Sequence, residues 1–297
     1  MRANFFNKLI EEMRKNKDIF FLMGDTGFSL VEPIFEEFPE RSLNVGVAEQ
    51  NMIGIAAGLA NAGFKPVCYA ITNFLVFRCL EQIRNDICLH NYPVILVGTS
   101  TGFDHGKLWA SHYVTDDIGC MKSLPNINIY SPSGPELMDK VFDEIINSQS
   151  PCYVRIPKSD FSEDKEINEI NRYIVKNIKS DILVISHGKM VKNSFEAYKK
   201  FPKFSIFAMD KIKPLEEEII ENILKGHKKV VVIEDNFNSG LFNSLCQFLV
   251  EKKNNKIHMY SISPNEVFEE QIGDPETLEE RYGLSSKKII EFIKKLI

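Results

Sequence analysis

The chain has 297 residues, of which 44% are hydrophobic, so it can bury a large core in one large or two medium domains. Its net charge of -5 argues against nucleic-acid binding, because that function draws most of its affinity from clustered Lys and Arg side chains. The six cysteines form no CxxC pair and no apolar run could span a bilayer, so we expect a cytoplasmic protein without a membrane partner.

Strand and helix patterns alternate along the first half of the chain. Apolar runs predict buried strands at residues 18–23, 42–47, 66–71, 93–100, 126–131 and 152–157. Helical patterns lie before and between them, at residues 3–16, 49–62, 74–90, 113–123 and 134–148. Strands that are apolar on both faces and separated by helices indicate a mostly parallel sheet that is covered on both sides.

A polar, acidic stretch, SDFSEDKEINEIN (159–171), separates this half from a second alternating unit. The second unit has predicted strands at residues 181–188, 204–210, 229–235 and 256–263, and predicted helices at 189–200, 215–225, 239–252 and 276–296. We therefore predict an α/β protein of two domains, residues 1–160 and a smaller unit at 178–297, joined by a linker at 161–177.

No Walker loop and no GxGxxG motif follows a predicted strand, which argues against NTPase and dinucleotide-binding functions. The stretch MGDTG (23–27) is similar to the Gly-Asp-Gly motif that holds a metal and a diphosphate. However, Asn51, which follows Asp25 at a suitable distance, falls inside a predicted helix. Gly and Asp are also common turn formers, so a simple turn is the alternative for Asp25.

The stretch NVGVAEQNMIGIAAGLANAG (44–63) places one carboxylate, Glu49, at the head of a helix of small and aliphatic residues. The helix dipole alone favours an acid in the first turn, so a structural role is one interpretation. The glycines and alanines that follow let another group approach closely. A carboxylate in such an apolar place needs a partner, or it becomes a proton donor.

The loop GFDHGKLWASHYVTDDIG (102–119) carries two histidines and the only tryptophan, Trp109. Such a composition is more typical of an active-site loop than of a simple connection. A place beside a helix N-cap at Ser111 is the alternative for His112. Phe74 and Phe77, at positions i and i+3, would ordinarily pack into the core.

Three stretches resemble, in order, the pyrimidine-binding half of the transketolases: residues 44–63, CYAITNFLVFRCLEQIRND (68–86) and GKLWASHYVTDDIGCMKSLPNINIYSPSGPELM (106–138). VVVIEDN (230–236) and GDPETLEERYGLSSKKI (273–289) are similar to the C-terminal domain of the same enzymes. The resemblance covers nearly the whole chain. It implies a thiamine-diphosphate-dependent transferase that moves a two-carbon ketol unit from a ketose to an aldehyde.

The resemblance also implies roles for residues around the cofactor. Glu49 matches the glutamate that hydrogen-bonds N1′ of the aminopyrimidine, which makes it a catalytic as well as a cofactor-binding residue. Phe74 matches the aromatic residue that stacks on the pyrimidine, with Phe77 as its neighbour. Val47 is expected to line the pyrimidine pocket, and Asp25 lies in the loop that matches an Ala-Asp-Leu segment.

Substrate contacts follow from the same resemblance. His112 aligns with a His or Gln that contacts the substrate, where it would also relay protons. Arg155, in YVRIPK, matches an arginine that grips a substrate phosphate, a role suited to its forked guanidinium. Leu108 replaces an aspartate of the family and Trp109 a glycine, which implies a narrower, less polar pocket and an atypical sugar substrate.

The diphosphate- and metal-binding domain of full transketolases has no counterpart in this sequence. The resemblance therefore implies a complementary subunit that carries that domain and the Mg²⁺ ligands, in an α2β2 heterotetramer, and no metal ligands on this chain. Two alternatives stay open. One is the β subunit of a 2-oxoacid dehydrogenase or decarboxylase, and the other is a non-catalytic pseudoenzyme that serves as a scaffold.

Overall fold

Strands and helices alternate along the chain and build two sheets, each covered by helices. The computed structural model describes residues 1–158, 161, 173–175, 177, 179–268 and 270–297. The strands are β1 (Ile19–Met23), β2 (Ser42–Asn44), β3 (Lys65–Ile71), β4 (Ile95–Thr99), β5 (Asn128–Tyr130), β6 (Cys152–Ile156), β7 (Tyr173–Val175), β8 (Ile182–Ser186), β9 (Ser205–Ala208), β10 (Lys211–Lys213), β11 (Lys229–Ile233) and β12 (His258–Ile262). The α-helices are α1 (Arg2–Lys15), α2 (Glu32–Glu37), α3 (Glu49–Asn61), α4 (Thr72–Phe77), α5 (Leu80–Gln82), α6 (Asp117–Lys122), α7 (Pro135–Asn147), α8 (Met190–Lys200), α9 (Glu217–Leu224), α10 (Leu241–Glu251), α11 (Pro275–Arg281) and α12 (Ser286–Lys294).

The first sheet is parallel from β5 to β2, in the order β5-β6-β4-β3-β1-β2. Successive residues of a strand point to opposite faces of the sheet. Because these strands carry apolar residues at successive positions, both faces of the sheet are buried. Phe21 and Val67 face a core that α1 and α7 complete, whereas Leu22 and Cys68 face the core of α3, α4 and α6. The predicted α/β class with a mostly parallel, helix-covered sheet is confirmed.

The second sheet has the strand order β12-β11-β8-β9-β7. Its strands are parallel except β7, which pairs antiparallel with β9. Helices α8 and α12 pack on one face, where residues such as Val191 and Ile289 are buried together. This smaller α/β unit also agrees with the prediction.

One strand of the second half lies outside the second sheet. Strand β10 pairs antiparallel with β5 and extends the first sheet at its edge. The sequence did not predict it, because three residues, Lys-Ile-Lys, are too short to give a strand pattern. The two units therefore share main-chain hydrogen bonds as well as side-chain contacts.

Two predicted helices are divided in the structure. The pattern at 74–90 becomes α4, α5 and a π-helical segment, Ile83–Cys88. The pattern at 276–296 becomes α11 and α12, because Gly283 has a φ of 77° and ends α11 in the left-handed conformation that glycine adopts without strain. Most of the predicted linker lies outside the described residues, so the domain limits stay a prediction. No helix in the described part of the chain has the length and apolar character that a membrane span requires.

Candidate active site

Glu49 lies at the carboxyl edge of the first sheet. It is the first residue of α3 and is 2% exposed. A Cβ built on Gly24, just after β1, would lie 3.2 Å from Glu49 Cγ and 3.4 Å from Oε1, so a larger residue there would press on this side chain. Because β1 and β3 are parallel neighbours, their carboxyl ends and the start of α3 meet at one edge, where ligands bind in open α/β sheets.

Arg78 joins Glu49 to Phe74. Its Nη1 donates a hydrogen bond of 2.8 Å to Glu49 Oε2. Its guanidinium carbon lies 3.9 Å from the centroid of the Phe74 ring, a cation–π contact. The Arg78 side chain is 44% exposed, so its guanidinium lies between the buried carboxylate of Glu49 and the solvent.

His112 also contacts the Phe74 ring. The two ring centroids are 5.2 Å apart, with the rings edge to face at 71°. Ser111 Oγ is 2.8 Å from His112 Nδ1 and helps to orient the imidazole. The structure therefore brings together three residues that the sequence singled out separately, Glu49, Phe74 and His112.

His105 extends this cluster, although sequence reasoning did not select it. Its ring centroid is 6.1 Å from that of His112. Its Nδ1 lies 3.1 Å from Nζ of Lys158, which follows β6, so Nδ1 accepts a hydrogen bond from the ammonium group. Partial burial, together with the charges of Lys158 and His112, lowers the pKa of His105 to about 4. The signal was present as a second histidine in the same loop, but only the fold brings Lys158 to it.

The C-terminal unit braces the loop that carries both histidines. The loop forms a short 3-10 turn, Gly106–Leu108. A Cβ on Gly106 would lie 2.7 Å from the carbonyl oxygen of Gly273, and Lys107 pairs with Asp274 at 2.7 Å. Phe103 stacks on Tyr282 with a centroid distance of 5.3 Å. These contacts fix the loop relative to the second sheet.

The remaining predicted site residues differ in their exposure and their contacts. Asp25 is exposed, has a φ of 47° and accepts a hydrogen bond of 2.9 Å from Asn44 Nδ2. Val47 is 72% exposed. Phe77 is half-buried and packs against the core between the first sheet and α3, which is the ordinary role of such a residue. Trp109 is half-exposed on the loop between His105 and His112.

The expected role of Arg155 is wrong. Its guanidinium is fully buried, with Nε 2.7 Å from Asp117 Oδ2 and Nη1 3.1 Å from Asp235 Oδ1. Two carboxylates already satisfy the charge, and a side chain without exposed surface has no face to offer a substrate phosphate. Arg155 is a structural residue between the two units.

The described residues contain no group of three or more His, Cys, Asp or Glu side chains that could hold a metal ion. Glu49 and Phe74 do fit an aminopyrimidine ring, because one offers a buried acceptor and the other an aromatic face beside it. The arrangement can hold a flat, hydrogen-bonding ring at the sheet edge, with imidazole groups further along the same site.

Comparison with known proteins defines the class of this one. The family model for the pyrimidine-binding domain of transketolase matches residues 1–163, and the model for the transketolase C-terminal domain matches residues 172–289. This is an α/β protein of the thiamine-diphosphate-dependent class. The chain belongs to the transketolase family.

Relatives of similar length come from divided transketolases. A protein of Methanocaldococcus jannaschii named as a putative transketolase C-terminal section is 32% identical over 99% of this chain and 96% of its own. A protein of Actinobacillus succinogenes named as one subunit of apulose-4-phosphate transketolase is 29% identical, over 82% of this chain and 81% of its own. A structure titled split gene transketolase, inactive beta4 tetramer, has a TM-score of 0.84 at 27% identity, covering 99% of this chain and 96% of that one.

Proposed function

We propose that this chain is the pyrimidine-side subunit of a split transketolase that moves a two-carbon ketol unit from a ketose to an aldehyde. The observation that carries the proposal is the buried carboxylate of Glu49 beside the Phe74 ring at the carboxyl edge of a parallel sheet. The family membership and the relatives from divided enzymes support it. We place the enzyme in the cytoplasm, which agrees with six free cysteines.

Thiamine diphosphate would supply the nucleophilic carbon that carries the two-carbon unit. Glu49 would hold a proton between its carboxylate and the pyrimidine nitrogen, and its burial keeps water from competing for that hydrogen bond. Phe74 would fix the plane of the pyrimidine ring. His112, held by Ser111, would bind sugar oxygens and relay protons at its Nε2.

A complementary subunit would supply the diphosphate-binding half and the Mg²⁺ ligands, in an α2β2 assembly. The relatives named as a transketolase subunit and as a split-gene product support this division. Large apolar side chains are exposed close to the same sheet edge, where a partner could cover them: Phe28 at 66%, Leu43 at 41% and Val47 at 72%. Val47 would then reach the pyrimidine pocket, and Asp25 the cofactor, only in the assembled enzyme.

The substrate would be an atypical sugar. Leu108 and Trp109 are half-exposed on the loop that leads to His112, where they present apolar surface to a ligand. A relative is named for apulose 4-phosphate, and this supports a substrate outside the ordinary pentose phosphates. His105 and Lys158 would add polar contacts at the same end of the site.

Replacement of the key carboxylate tests the proposal. In the chain reconstituted with its complementary subunit, Glu49→Gln should lower kcat by about 10²- to 10⁴-fold, since the amide cannot take or give the proton. Glu36→Gln, on the exposed surface of α2, is the matched control. Unchanged turnover of Glu49→Gln would refute the catalytic role.

A calorimetric titration of the isolated chain tests the need for a complementary subunit. It should find no micromolar binding of thiamine diphosphate to the isolated chain.

A further inference from the structure

Arg78 makes an unusual pair of contacts within the site. Its Nη1 donates to Glu49 Oε2 at 2.8 Å, while the guanidinium carbon lies over the Phe74 ring, 3.9 Å from the ring centroid. Arg78 immediately follows α4 and lies four residues after Phe74, so one helical turn places its side chain over the ring. Gln50 Nε2 donates to the Arg78 carbonyl oxygen at 2.8 Å, which ties this turn to the start of α3.

The guanidinium is flat, has N–H donors in its plane and offers a π face. An aminopyrimidine ring has the same properties, and the proposed function assigns it the same two partners, the Glu49 carboxylate and the Phe74 ring. The acceptor atom Oε2 and the ring face cannot serve both groups at full strength at one time. Arg78 is half-exposed and Glu49 is buried, so the guanidinium has a path out to solvent whereas the carboxylate does not.

We propose that Arg78 substitutes for the pyrimidine ring in the cofactor-free subunit and is displaced when the cofactor binds. This inference rests on the proposed function of the site. Arg78 compensates the buried charge of Glu49 and keeps the carboxylate and the Phe74 ring oriented. It also competes with the cofactor, and the assembled enzyme binds thiamine diphosphate less tightly than it would without the guanidinium. Arg78 is therefore a positioning residue and not a catalytic one.

Two measurements on Arg78→Met separate competition from a purely structural role. Without cofactor, the isolated variant should unfold at a lower temperature than the wild type, because Glu49 loses its partner. In the reconstituted complex, calorimetric titration with thiamine diphosphate should show tighter binding, by roughly 5- to 30-fold, since an ion pair and a cation–π contact no longer have to be broken. A purely structural role of Arg78 would instead lower both the unfolding temperature and the affinity for thiamine diphosphate.

Arg84→Met is the matched control. Arg84 lies six residues further on and is exposed, its Nη1 donates a hydrogen bond of 2.7 Å to Asn85 Oδ1, and neither measurement should change. Arg78→Gln keeps a neutral hydrogen-bond donor for Glu49 and serves if the methionine variant does not fold. It should bind thiamine diphosphate more tightly than the wild type, but by a smaller factor than that expected for methionine. Equal or weaker cofactor binding by the Arg78 variants would overturn the inference while leaving the proposed function intact. A wild-type complex that binds no thiamine diphosphate would overturn both.

Discussion

Asp104 and His105 are neighbours in the loop that carries both histidines (residues 102–119, the histidine loop), and burial shifts their pKa values in opposite directions. Burial raises the pKa of Asp104 to about 6 and lowers that of His105 to about 4, because burial disfavours the charged form of each group. Between about pH 4 and 6, folded Asp104 binds more protons than the unfolded chain, so its contribution to stability falls as the pH rises. His105 binds fewer protons when folded, so its contribution rises with pH, and the two effects oppose each other.

Asp104→Asn separates the two contributions. At pH 7.5 the wild type holds a buried, ionised carboxylate, whereas asparagine is neutral and keeps an acceptor for the Lys158 N–H, which is 2.7 Å from Oδ2. We expect the variant to be more stable by about 1 to 3 kcal/mol at pH 7.5. At pH 4.5 Asp104 is protonated in the fold but largely ionised in the unfolded chain, where its carboxyl has the ordinary pKa of 3.8, so the gain should fall to about a third of that at pH 7.5. Calorimetric unfolding at both pH values measures this.

The matched control is Asp143→Asn, whose carboxylate is exposed on α7. It should change stability little at either pH. An equal gain from Asp104→Asn at pH 4.5 and 7.5 would show that the carboxyl charge is not the cause.

At the scale of elements, the sequence could predict what is encoded locally. The apolar runs of β1, β3 and β4 and the small-residue helix α3 have clear periodicities, and the structure contains them within a few residues of the predicted limits. Strand β10 escaped prediction because it has only three residues and pairs with β5, which lies far away in sequence. Short elements of this kind are specified by their neighbours more than by their own residues.

The candidate site divides in the same way. Glu49, Phe74 and His112 could be proposed from motif and resemblance, and the fold brings them together. The role of Arg155 could not be judged, because its partners Asp117 and Asp235 are 38 and 80 positions away and burial is a property of the whole fold. His105 was missed for the same reason, since Lys158 is 53 positions from it.

Glycine substitutions test how tightly the histidine loop is packed as an element. In Gly106→Ala, the new methyl group would meet the carbonyl oxygen of Gly273 at 2.7 Å, and a backbone atom cannot easily move away. We expect a loss of about 1 to 3 kcal/mol in the free energy of unfolding. Urea denaturation of the isolated chain measures it.

Gly58→Ala provides the contrast. Gly58 lies within α3 and a Cβ there would meet nothing within 4 Å. Alanine should therefore stabilise the isolated chain by about 0.5 to 1 kcal/mol, through its higher helix propensity. If both alanines had the same effect, loop packing against the C-terminal unit would not explain the requirement for Gly106.

At the scale of the whole molecule, the first unit fills the place where the second unit would bind a ligand. In the second sheet, chain connections run in opposite directions on either side of the junction of β8 and β11, and the carboxyl ends at such a junction are the usual ligand site of open α/β sheets. Here the residues that follow these strands face the first unit. His187 Nδ1 is 3.0 Å from Ser131 Oγ, and Asp235 binds Arg155. The second unit therefore supports the candidate site and does not offer this crevice to a ligand.

Removal of Arg155 tests this junction. Arg155→Met would leave Asp117 and Asp235 buried without their cation, and the Tyr153 hydroxyl, which donates to Asp117 at 2.6 Å, compensates only part of that charge. We expect a loss of about 3 to 5 kcal/mol in the free energy of unfolding. Arg14→Met removes an exposed pair with Glu37 and should change the free energy of unfolding little, because solvent screens the two charges. Urea denaturation, followed by the fluorescence of Trp109 and by circular dichroism, compares the two variants. A loss from Arg155→Met as small as that from Arg14→Met would show that buried charges do not hold the two units together.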